Sequence, residues 1–353
     1  MPMSHTNIYD LDLPQWVETL KQWQQPAFRA KQIWNGLYRQ YWSQPEQFLQ
    51  LPAPLRQKLE ESFDFKVIEP ALTLDSSDGQ TRKTLFRLHD GRQIEAVLMR
   101  YEDRRTLCIS TQVGCAMGCT FCATGQMGFK RHLSSGEIVA QVIHYARVLR
   151  ESNEQVTNVV VMGMGEPFHN YDNTLAAIDR LNHPDGCNLG ARRFTISTSG
   201  LIPAIQRFAS EKRQINLAIS LHASVDEARS AVMPVNRRYP IADLINACRE
   251  YVEATGRRVT FEWALIHGVN DTPAEASRLA ALLKGLLCHV NAIPLNPTEG
   301  FDGKSTTHTR AETFREILEN AGIPCTIRIR RGIDIQAGCG QLATQAEKEQ
   351  NSG

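Results

Sequence analysis

The chain has 353 residues, of which 42% are hydrophobic, and its formal net charge at pH 7 is +1. This length can bury one large core. The near-zero charge argues against a protein that attracts nucleic acid through its overall charge, so any RNA contact must depend on local basic patches. No stretch approaches the roughly 18 consecutive apolar residues of a membrane span. The N-terminus lacks the pattern of a signal peptide, so no membrane contact and a cytoplasmic location are expected.

The first part of the chain is predicted to be helical. Four of the five tryptophans lie there, and prolines precede apolar residues that recur at helical spacing. We therefore expect a small helical accessory domain over residues 1–68, followed over 69–105 by a strand-rich connection built of hairpins. Residues 106–342 are expected to form the main domain, and residues 343–353 a flexible tail.

Residues 106–342 alternate between predicted strands and helices. One helix is predicted from Ser134 to Arg150, because Ser134 and Glu137 match a capping box. Such alternation implies right-handed crossovers and a parallel sheet, and six or seven units suit a complete or partial (β/α) barrel. The predicted strands are the β-branched runs TLCIST, TNVVVMGM, RFTISTSG, NLAISLHA, VTFEWALI, HVNAIPLNP and CTIRIRRG.

Polar residues follow several of these strands. The carboxyl ends of barrel strands carry the chemistry of such proteins, so we expect the polar residues to ring a ligand site. The alternative is that each of them bonds only to its local backbone. The residues are Gly165-Glu166, Ser197-Thr198, Ser220 with His222, Asn270-Asp271 and Asn296.

Three cysteines, Cys115, Cys119 and Cys122, follow the first of these strands with the spacing C-x3-C-x2-C. Nine cysteines in a chain without an export signal favour metal binding or catalysis over disulfides. Three thiolates cannot fill a zinc site, which normally takes four ligands, but they can hold an iron–sulfur cubane with one iron open. A zinc site completed by a distant His or Cys remains the alternative.

A further cysteine, Cys339, lies between Gly338 and Gly340 near the end of the sequence. Flanking glycines leave its thiol uncovered and let the backbone bend so that another group can approach. On its own, this pattern favours a free thiol on a flexible turn.

The cysteine triplet and the barrel pattern resemble the radical S-adenosylmethionine (SAM) superfamily, and the resemblance extends to the RlmN/Cfr family of RNA methyltransferases over essentially the whole chain. It implies a partial (β/α)6-type radical SAM barrel over 106–342, a 4Fe-4S cluster on Cys115, Cys119 and Cys122, and an RNA-binding role for residues 1–68. The segments that carry the resemblance are CISTQVGCAMGCTFCATGQMGFKRHL, VVVMGMGEPFHNYDN, RRFTISTSGLIPAI, LAISLHA, MPVNRRYP, HGVND, NPTEG and GIDIQAGCGQL.

Matched position by position, the resemblance also implies the residues that contact SAM. They offer hydrogen-bond partners for the amine, carboxylate and ribose groups of that ligand. The implied contacts are Gly165, Glu166, Ser197, Ser220, Leu221, His222 and Asn296.

The same resemblance implies that Cys339 carries the methyl group and that two SAM molecules are used per turnover. An electron-poor adenine carbon cannot attack SAM directly, whereas a thiolate is a nucleophile. Cys339 would take a methyl group from one SAM, and a radical from a second SAM would activate that methyl group for addition to the adenine. Cys108 is the implied resolving thiol, which would form a transient disulfide with Cys339, and Glu95 is the implied proton acceptor.

The implied reaction is formation of 2-methyladenosine in 23S rRNA, near the peptidyl-transferase region, and in tRNA, at the adenosine 3′ of the anticodon. Two alternatives remain: C8 methylation of the Cfr kind, and a zinc-stabilised RNA-binding protein without catalysis. A flavodoxin or ferredoxin is the expected electron donor, and nothing in the sequence requires more than a monomer. Basic pairs that could hold RNA phosphates include Arg104-Arg105, Lys130-Arg131, Arg192-Arg193, Arg237-Arg238, Arg257-Arg258 and Arg328/Arg330-Arg331.

Overall fold

The computed structural model describes residues 6–342, so the tail predicted at 343–353 lies outside the described residues. The strands are β1 Thr6–Asn7, β2 Phe63–Asp64, β3 Ile68–Asp75, β4 Thr81–Leu88, β5 Gln93–Arg100, β6 Arg105–Cys108, β7 Gln112–Gly114, β8 Phe129–His132, β9 Asn158–Val161, β10 Phe194–Thr198, β11 Asn216–Ser220, β12 Val259–Leu265, β13 Cys288–Pro294 and β14 Cys325–Ile327. The helices are α1 Leu13–Gln22, α2 Phe28–Tyr38, α3 Ala53–Ser62, α4 Ala123–Gln126, α5 Ser135–Glu151, α6 Tyr171–Asn182, α7 Ile202–Ser210, α8 Asp226–Val232, α9 Ile241–Thr255, α10 Pro273–Leu283 and α11 His308–Asn320.

One large sheet organises these elements, in the order β14-β13-β12-β11-β10-β9-β6-β5-β4-β3. Strand β6 and strands β9 to β14 run parallel to one another, and helices connect most of them. The sheet has two ends, at β14 and β3, so the barrel is open. The predicted partial (β/α) barrel is therefore confirmed.

The strand-rich segment predicted at 69–105 extends the barrel sheet. Strands β3, β4 and β5 form an antiparallel meander, and β5 pairs with β6, the first parallel strand. Strands β4 and β5 are buried on both faces, and Phe86 of β4 packs against Tyr145 of helix α5. The domain boundaries drawn from the sequence stay proposals.

Helix α5 shows why the sequence signals for a helix were reliable here. Ser134 Oγ accepts a hydrogen bond from the Glu137 amide at 3.2 Å, and Glu137 Oε2 accepts one from the Ser134 amide at 2.9 Å. This capping box satisfies donors that the first turn would otherwise leave unpaired. The helix begins and ends within one residue of the prediction.

The N-terminal helices pack directly against the barrel. Arg147 on α5 donates to the Tyr41 carbonyl at 2.6 Å and to the Tyr9 hydroxyl at 2.9 Å, and the Trp34 ring lies 5.2 Å from that of His183. Buried side chains of both parts belong to one continuous hydrophobic cluster. Within residues 6–342, no helix has the length and apolar character needed to span a membrane.

Candidate active site

A cavity of about 170 Å³ opens at the carboxyl ends of the parallel strands. Ser197 lies on β10 and Ser220 ends β11, while Glu166 and Asn296 follow β9 and β13. The barrel thus brings residues that are far apart in sequence to one wall. The predicted site residues that line this cavity are Cys115, Cys119, Cys122, Gly165, Glu166, Ser197, Ser220, His222, Asn296 and Cys339.

The three cysteines of the C-x3-C-x2-C motif occupy a tight loop between β7 and β8. The two ends of this loop meet at Gly114 and Gly128. Their backbones are so close that a Cβ at position 114 would lie only 1.8 Å from the Gly128 carbonyl oxygen. Burial raises the pKa of each thiol, that of Cys115 to about 12, and a bound metal centre would oppose this rise by stabilising the thiolate forms. Three thiols on one loop are a donor set that fits an iron–sulfur cluster. Within residues 6–342, no group of three or more His, Cys, Asp or Glu side chains could hold a single metal ion.

Glu166 lies buried beside the cysteine loop. Its Oε2 accepts a hydrogen bond from the Ser199 amide at 2.7 Å, and its Oε1 accepts one from the Phe168 amide at 3.0 Å. Burial raises the pKa of the carboxyl group, and these amides oppose the rise. The Glu166 amide donates to Gln112 Oε1 at 2.8 Å, so Gln112 fixes the turn that presents the carboxylate to the cavity.

His222 occupies a left-handed backbone conformation, with φ 60°, directly after β11. Its Nδ1 accepts a hydrogen bond from the Ala264 amide at 2.9 Å, so the proton of the neutral ring is on Nε2. Burial, with the charge of Arg229 as a smaller cause, lowers the pKa of His222 to about 3. The imidazole is therefore a neutral donor at physiological pH. The neighbouring residue Leu221 is fully buried, and its side chain does not line the cavity. Any contact of Leu221 with a ligand would therefore be made by its backbone.

Asn296 links the cavity to the C-terminal loop. Its Nδ2 donates to the Cys339 carbonyl at 3.2 Å. Its Oδ1 is buried and has no hydrogen-bond partner among the described residues. Because a buried acceptor without a partner is costly, an amine or hydroxyl donor from a ligand fits this position. The polar wall is thus suited to a ligand such as SAM.

Cys339 borders this cavity and also a second one, on whose wall Cys108 lies. Cys339 is exposed, and its accessible surface faces the two cavities. Desolvation by the surrounding protein raises the pKa of Cys339, whereas the positive charge of Arg328 lowers it. Burial raises the pKa of Cys108, and the nearby Cys339 adds to the rise. Both cysteines are free thiols.

Comparisons with known proteins show the family. The family description "Radical SAM superfamily" matches residues 109–280. A probable dual-specificity RNA methyltransferase RlmN from Chloroflexus aurantiacus is 50% identical over 352 residues, which cover 97% of this chain and 93% of that protein. The chain belongs to the RlmN family of radical SAM methyltransferases. Dual-specificity RNA methyltransferase RlmN 1 from Myxococcus xanthus is 47% identical, with 97% of this chain and 95% of that protein covered.

A solved structure supports the same assignment. The crystal structure of a radical SAM methyltransferase from Sphaerobacter thermophilus matches with a TM-score of 0.94 and 51% sequence identity. The match covers 96% of this chain and 99% of that chain. The chain therefore shares its overall fold with that radical SAM methyltransferase.

Glu95, the proton acceptor implied by the RlmN resemblance, lies on β5 with 2% of its surface exposed. Lys83 Nζ lies 3.3 Å from Glu95 Oε1 and is itself buried. The same ammonium donates to the Gln336 carbonyl of the C-terminal loop at 3.3 Å. Glu95 lines neither cavity described above, so its role as proton acceptor stays a prediction. Lys83 was not singled out from the sequence, because only the β4–β5 pairing brings it to Glu95.

Two further residues at or beside the first cavity were not identified from the sequence. Arg229 on α8 is fully buried and donates to the Ser199 carbonyl at 2.7 Å, the Ser220 carbonyl at 3.0 Å and the Leu221 carbonyl at 3.1 Å. It therefore ties together the loops after β10 and β11, and burial lowers its pKa to about 10. Glu262 on β12 lines the first cavity. The sequence feature that could have identified Glu262 is its position as the one carboxylate in the apolar run VTFEWALI.

Asn270 and Asp271 do not belong to the ring of ligand contacts expected from the sequence. Asn270 Nδ2 donates to the His222 carbonyl at 2.8 Å, and its Oδ1 accepts from the Ile266 amide at 2.7 Å. Asp271 accepts from the Gly268 amide at 2.8 Å and from Arg310. These bonds organise the loop after β12, so the expectation was wrong for this pair, for which the local-backbone alternative holds.

Proposed function

We propose that the protein is an RNA methyltransferase that makes 2-methyladenosine in the peptidyl-transferase region of 23S rRNA and in tRNA, at the adenosine 3′ of the anticodon. One observation carries the proposal: Cys339 borders both the cavity of the cysteine triplet and the cavity of Cys108. A methyl carrier must meet a methyl donor on one side and a resolving thiol on the other. The printed names of the RlmN relatives support RNA as the substrate.

Two groups would occupy the first cavity. Cys115, Cys119 and Cys122 would hold a 4Fe-4S cluster. When bound, the cluster and SAM supply the methyl group and the 5′-deoxyadenosyl radical of the reaction. Residues around the polar wall would orient SAM, and those proposed are Gly165, Glu166, Ser197, Ser220, Leu221, His222 and Asn296.

The side chains of this protein perform the remaining steps. The Cys339 thiol loses its proton and accepts a methyl group on sulfur, and loss of one methyl hydrogen lets that carbon bond to C2 of adenine. Glu95 then takes the C2 proton. Attack of Cys108 on the Cys339 sulfur forms an S–S bond and breaks the S–C bond, which leaves the carbon on adenine as a methyl group after protonation. Two SAM molecules are consumed. The one unpaired electron that remains once the disulfide has formed would return to the cluster, and a thiol reductant then supplies two electrons that reduce the disulfide.

The proposal extends to the surroundings of the enzyme. A flavodoxin or ferredoxin would supply the electron for the radical step, and a cytoplasmic location would give access to rRNA and tRNA. We propose that the enzyme acts as a monomer, with residues 1–68 assisting in RNA binding.

Nucleoside mass spectrometry tests the reaction. The reconstituted enzyme is incubated anaerobically with SAM, a reductant and an unmodified 23S rRNA fragment or tRNA, and we expect 2-methyladenosine. Cys339→Ala should reduce the product to background, because no sulfur remains to carry the methyl group. Cys108→Ala should instead leave RNA covalently attached to the protein, visible on a denaturing gel.

A matched control is Cys288→Ala, since Cys288 begins β13 at the end of the barrel away from the site. This variant should keep both the cluster and the activity. An 8-methyladenosine product would identify C8 methylation. Absence of any methylated adenosine from enzyme that holds its cluster and cleaves SAM would contradict the proposed substrate.

A further inference from the structure

The second cavity reaches the surface through a group of arginines. Its lining includes the two cysteines Cys108 and Cys339, and also Tyr101 and the segment 328–331. The lining includes Arg328, Arg330 and Arg331 and, within residues 6–342, no carboxylate. A ligand that enters here and reaches the two cysteines therefore passes a positively charged rim.

Tyr101 orders two of the guanidinium groups at this rim. The guanidinium carbon of Arg331 lies 4.5 Å from the centre of the Tyr101 ring, and that of Arg104 lies 5.0 Å from it. Cation–π contacts of this kind hold the guanidinium over the ring while leaving most of its N–H donors available. Arg331 also donates to the Arg100 carbonyl at 3.2 Å, which fixes its direction.

The charges at this rim are not neutralised by the protein. Within residues 6–342, no ion pair involves Arg104, Arg330 or Arg331. Asp78 feels the charge of Arg331 but forms no ion pair with it. Ile329, between two of the lining arginines, is 81% exposed. Free guanidinium groups beside an exposed apolar side chain suit a ligand with both phosphates and flat apolar faces.

We propose that Tyr101, Arg104, Arg330 and Arg331 form a binding site for the phosphodiester backbone of RNA next to the target adenosine. This arginine rim rests on the proposed function, because it identifies where the substrate of that reaction is held. The three arginines bind phosphates, and Tyr101 is a positioning residue that acts through Arg104 and Arg331. The site explains how a chain with almost no net charge binds a polyanion beside its methyl carrier.

The position of the rim favours RNA over an acidic electron-transfer protein. The cavity that it borders leads to Cys108 and Cys339, and in the proposed reaction Cys339 transfers a carbon atom to the base. An electron donor instead needs the shortest approach to Cys115, Cys119 and Cys122, and none of these lines the second cavity.

The salt dependence of RNA binding tests the proposal. The probe is an unmodified hairpin of the 23S rRNA peptidyl-transferase region, and its Kd for the holoenzyme is measured over a range of KCl concentrations. Each phosphate contact contributes about 0.7 to the slope of log K against log salt for single-stranded RNA. Arg331→Ala should lower this slope by about that amount and raise KM for RNA about tenfold at low salt. The kcat should be unchanged.

Three further variants distinguish the effect of the Arg331 charge on RNA binding from that of the Tyr101 ring and from a general structural effect. Arg331→Lys should keep the slope, since it keeps the charge. Tyr101→Leu should raise KM for RNA without changing kcat, because it removes the ring that holds the Arg104 and Arg331 guanidinium groups. The control is Arg207→Ala: the Arg207 guanidinium lies 4.1 Å from the Tyr171 ring centre, but it is near the C-terminal end of α7, away from the carboxyl ends of the strands. That variant should leave the slope, KM and kcat unchanged.

Each remaining outcome has a defined meaning. If Arg331→Ala keeps the slope and KM of an enzyme that methylates RNA, the arginine rim is not an RNA site, although the proposed function stands. If the unmodified enzyme makes no methylated adenosine, the proposed function fails, and the Arg331→Ala slope still decides the rim. If Arg331→Ala slows turnover with flavodoxin but not with dithionite, while KM for RNA is constant, the surface binds the electron donor and the proposal is overturned.

Discussion

Glu262 is a carboxyl group that an apolar strand carries into the wall of the first cavity. Its side chain is buried, and Asn291 Nδ2 donates to its Oε2 at 2.7 Å. Burial raises the pKa of Glu262 to about 7, although the Arg328 charge and the Asn291 hydrogen bond act in the opposite direction. A carboxyl group that titrates near neutrality beside a ligand cavity changes charge within the working pH range of the protein.

The raised pKa of Glu262 predicts a pH dependence of stability. Below about pH 4.3, both folded and unfolded states hold the proton. Between that pH and about 7, only the folded state retains it, so the free energy of unfolding falls as the pH rises and then levels off. Glu262→Gln removes this loss, and we expect it to unfold at higher urea concentration than the unmodified protein at pH 8 but not at pH 4. The gain is at most about 4 kcal/mol.

Anaerobic urea unfolding at the two pH values measures the effect. Glu262→Ala serves as the comparison, because it removes the charge but also the acceptor of Asn291. If the difference in stability between the Glu262→Gln and unmodified proteins is the same at pH 4 and pH 8, the pKa of Glu262 is the same in the folded and unfolded states, and the prediction is wrong.

At the scale of elements, the sequence predicted the strands because each parallel strand is a short run of β-branched residues covered on both faces. All seven runs predicted from residue 106 onward are strands, from β6 to β14. Since the carboxyl ends of parallel strands meet at one edge, the polar residues after them could be expected to share a cavity. Residues such as Ser197 and Ser220, whose hydroxyl oxygens lie 3.5 Å apart, illustrate this.

Contacts between distant elements could not be predicted in the same way. Arg229 reaches three carbonyls from a short helix that carries no recognisable motif, and Lys83 meets Glu95 only through the register of β4 and β5. Asn270 was misassigned because a strand-end position does not tell whether an amide turns toward the cavity or toward its own loop. Side-chain direction at these positions depends on packing across the whole barrel.

Gly165 provides a prediction for the turn after β9. Its φ of +105° is a backbone conformation that glycine adopts readily and other residues rarely adopt. An added Cβ would also lie 2.6 Å from Gln112 Cβ and 2.8 Å from the Gln112 amide nitrogen. Gly165→Ala should therefore displace the Gln112–Glu166 contact at a cost of about 1–3 kcal/mol. We expect SAM to bind at least about tenfold more weakly to the holoenzyme, as measured by equilibrium dialysis.

Gly190→Ala is the matched control for this variant. Gly190 has a negative φ of −55°, and an added Cβ there would meet nothing within 4 Å. Its SAM affinity should equal that of the unmodified enzyme, and iron content should be equal in all three proteins. Unchanged SAM affinity in Gly165→Ala would show that Glu166 does not depend on this turn.

The whole molecule is held together by a core that crosses the boundary between the N-terminal helices and the barrel. Trp16 and Trp34 are fully buried, and both belong to the hydrophobic cluster that includes the barrel strands. Arg147 adds hydrogen bonds to Tyr41 and Tyr9 at this contact. An RNA-binding role for residues 1–68 would therefore be exercised by a segment that is fixed relative to the site rather than loosely tethered.

This shared core predicts that both parts of the holoenzyme unfold together. Four of the five tryptophans lie in the N-terminal part, so tryptophan fluorescence reports mainly on those helices, while loss of the visible absorbance of the cluster reports on the barrel. The two signals should have the same midpoint on heating. Arg147→Ala removes the hydrogen bonds across the contact and should move the fluorescence midpoint below that of the cluster. Separate midpoints in the unmodified holoenzyme would mean that the N-terminal helices unfold independently of the barrel. The position of these helices relative to the barrel would then be set by RNA binding rather than by the shared core.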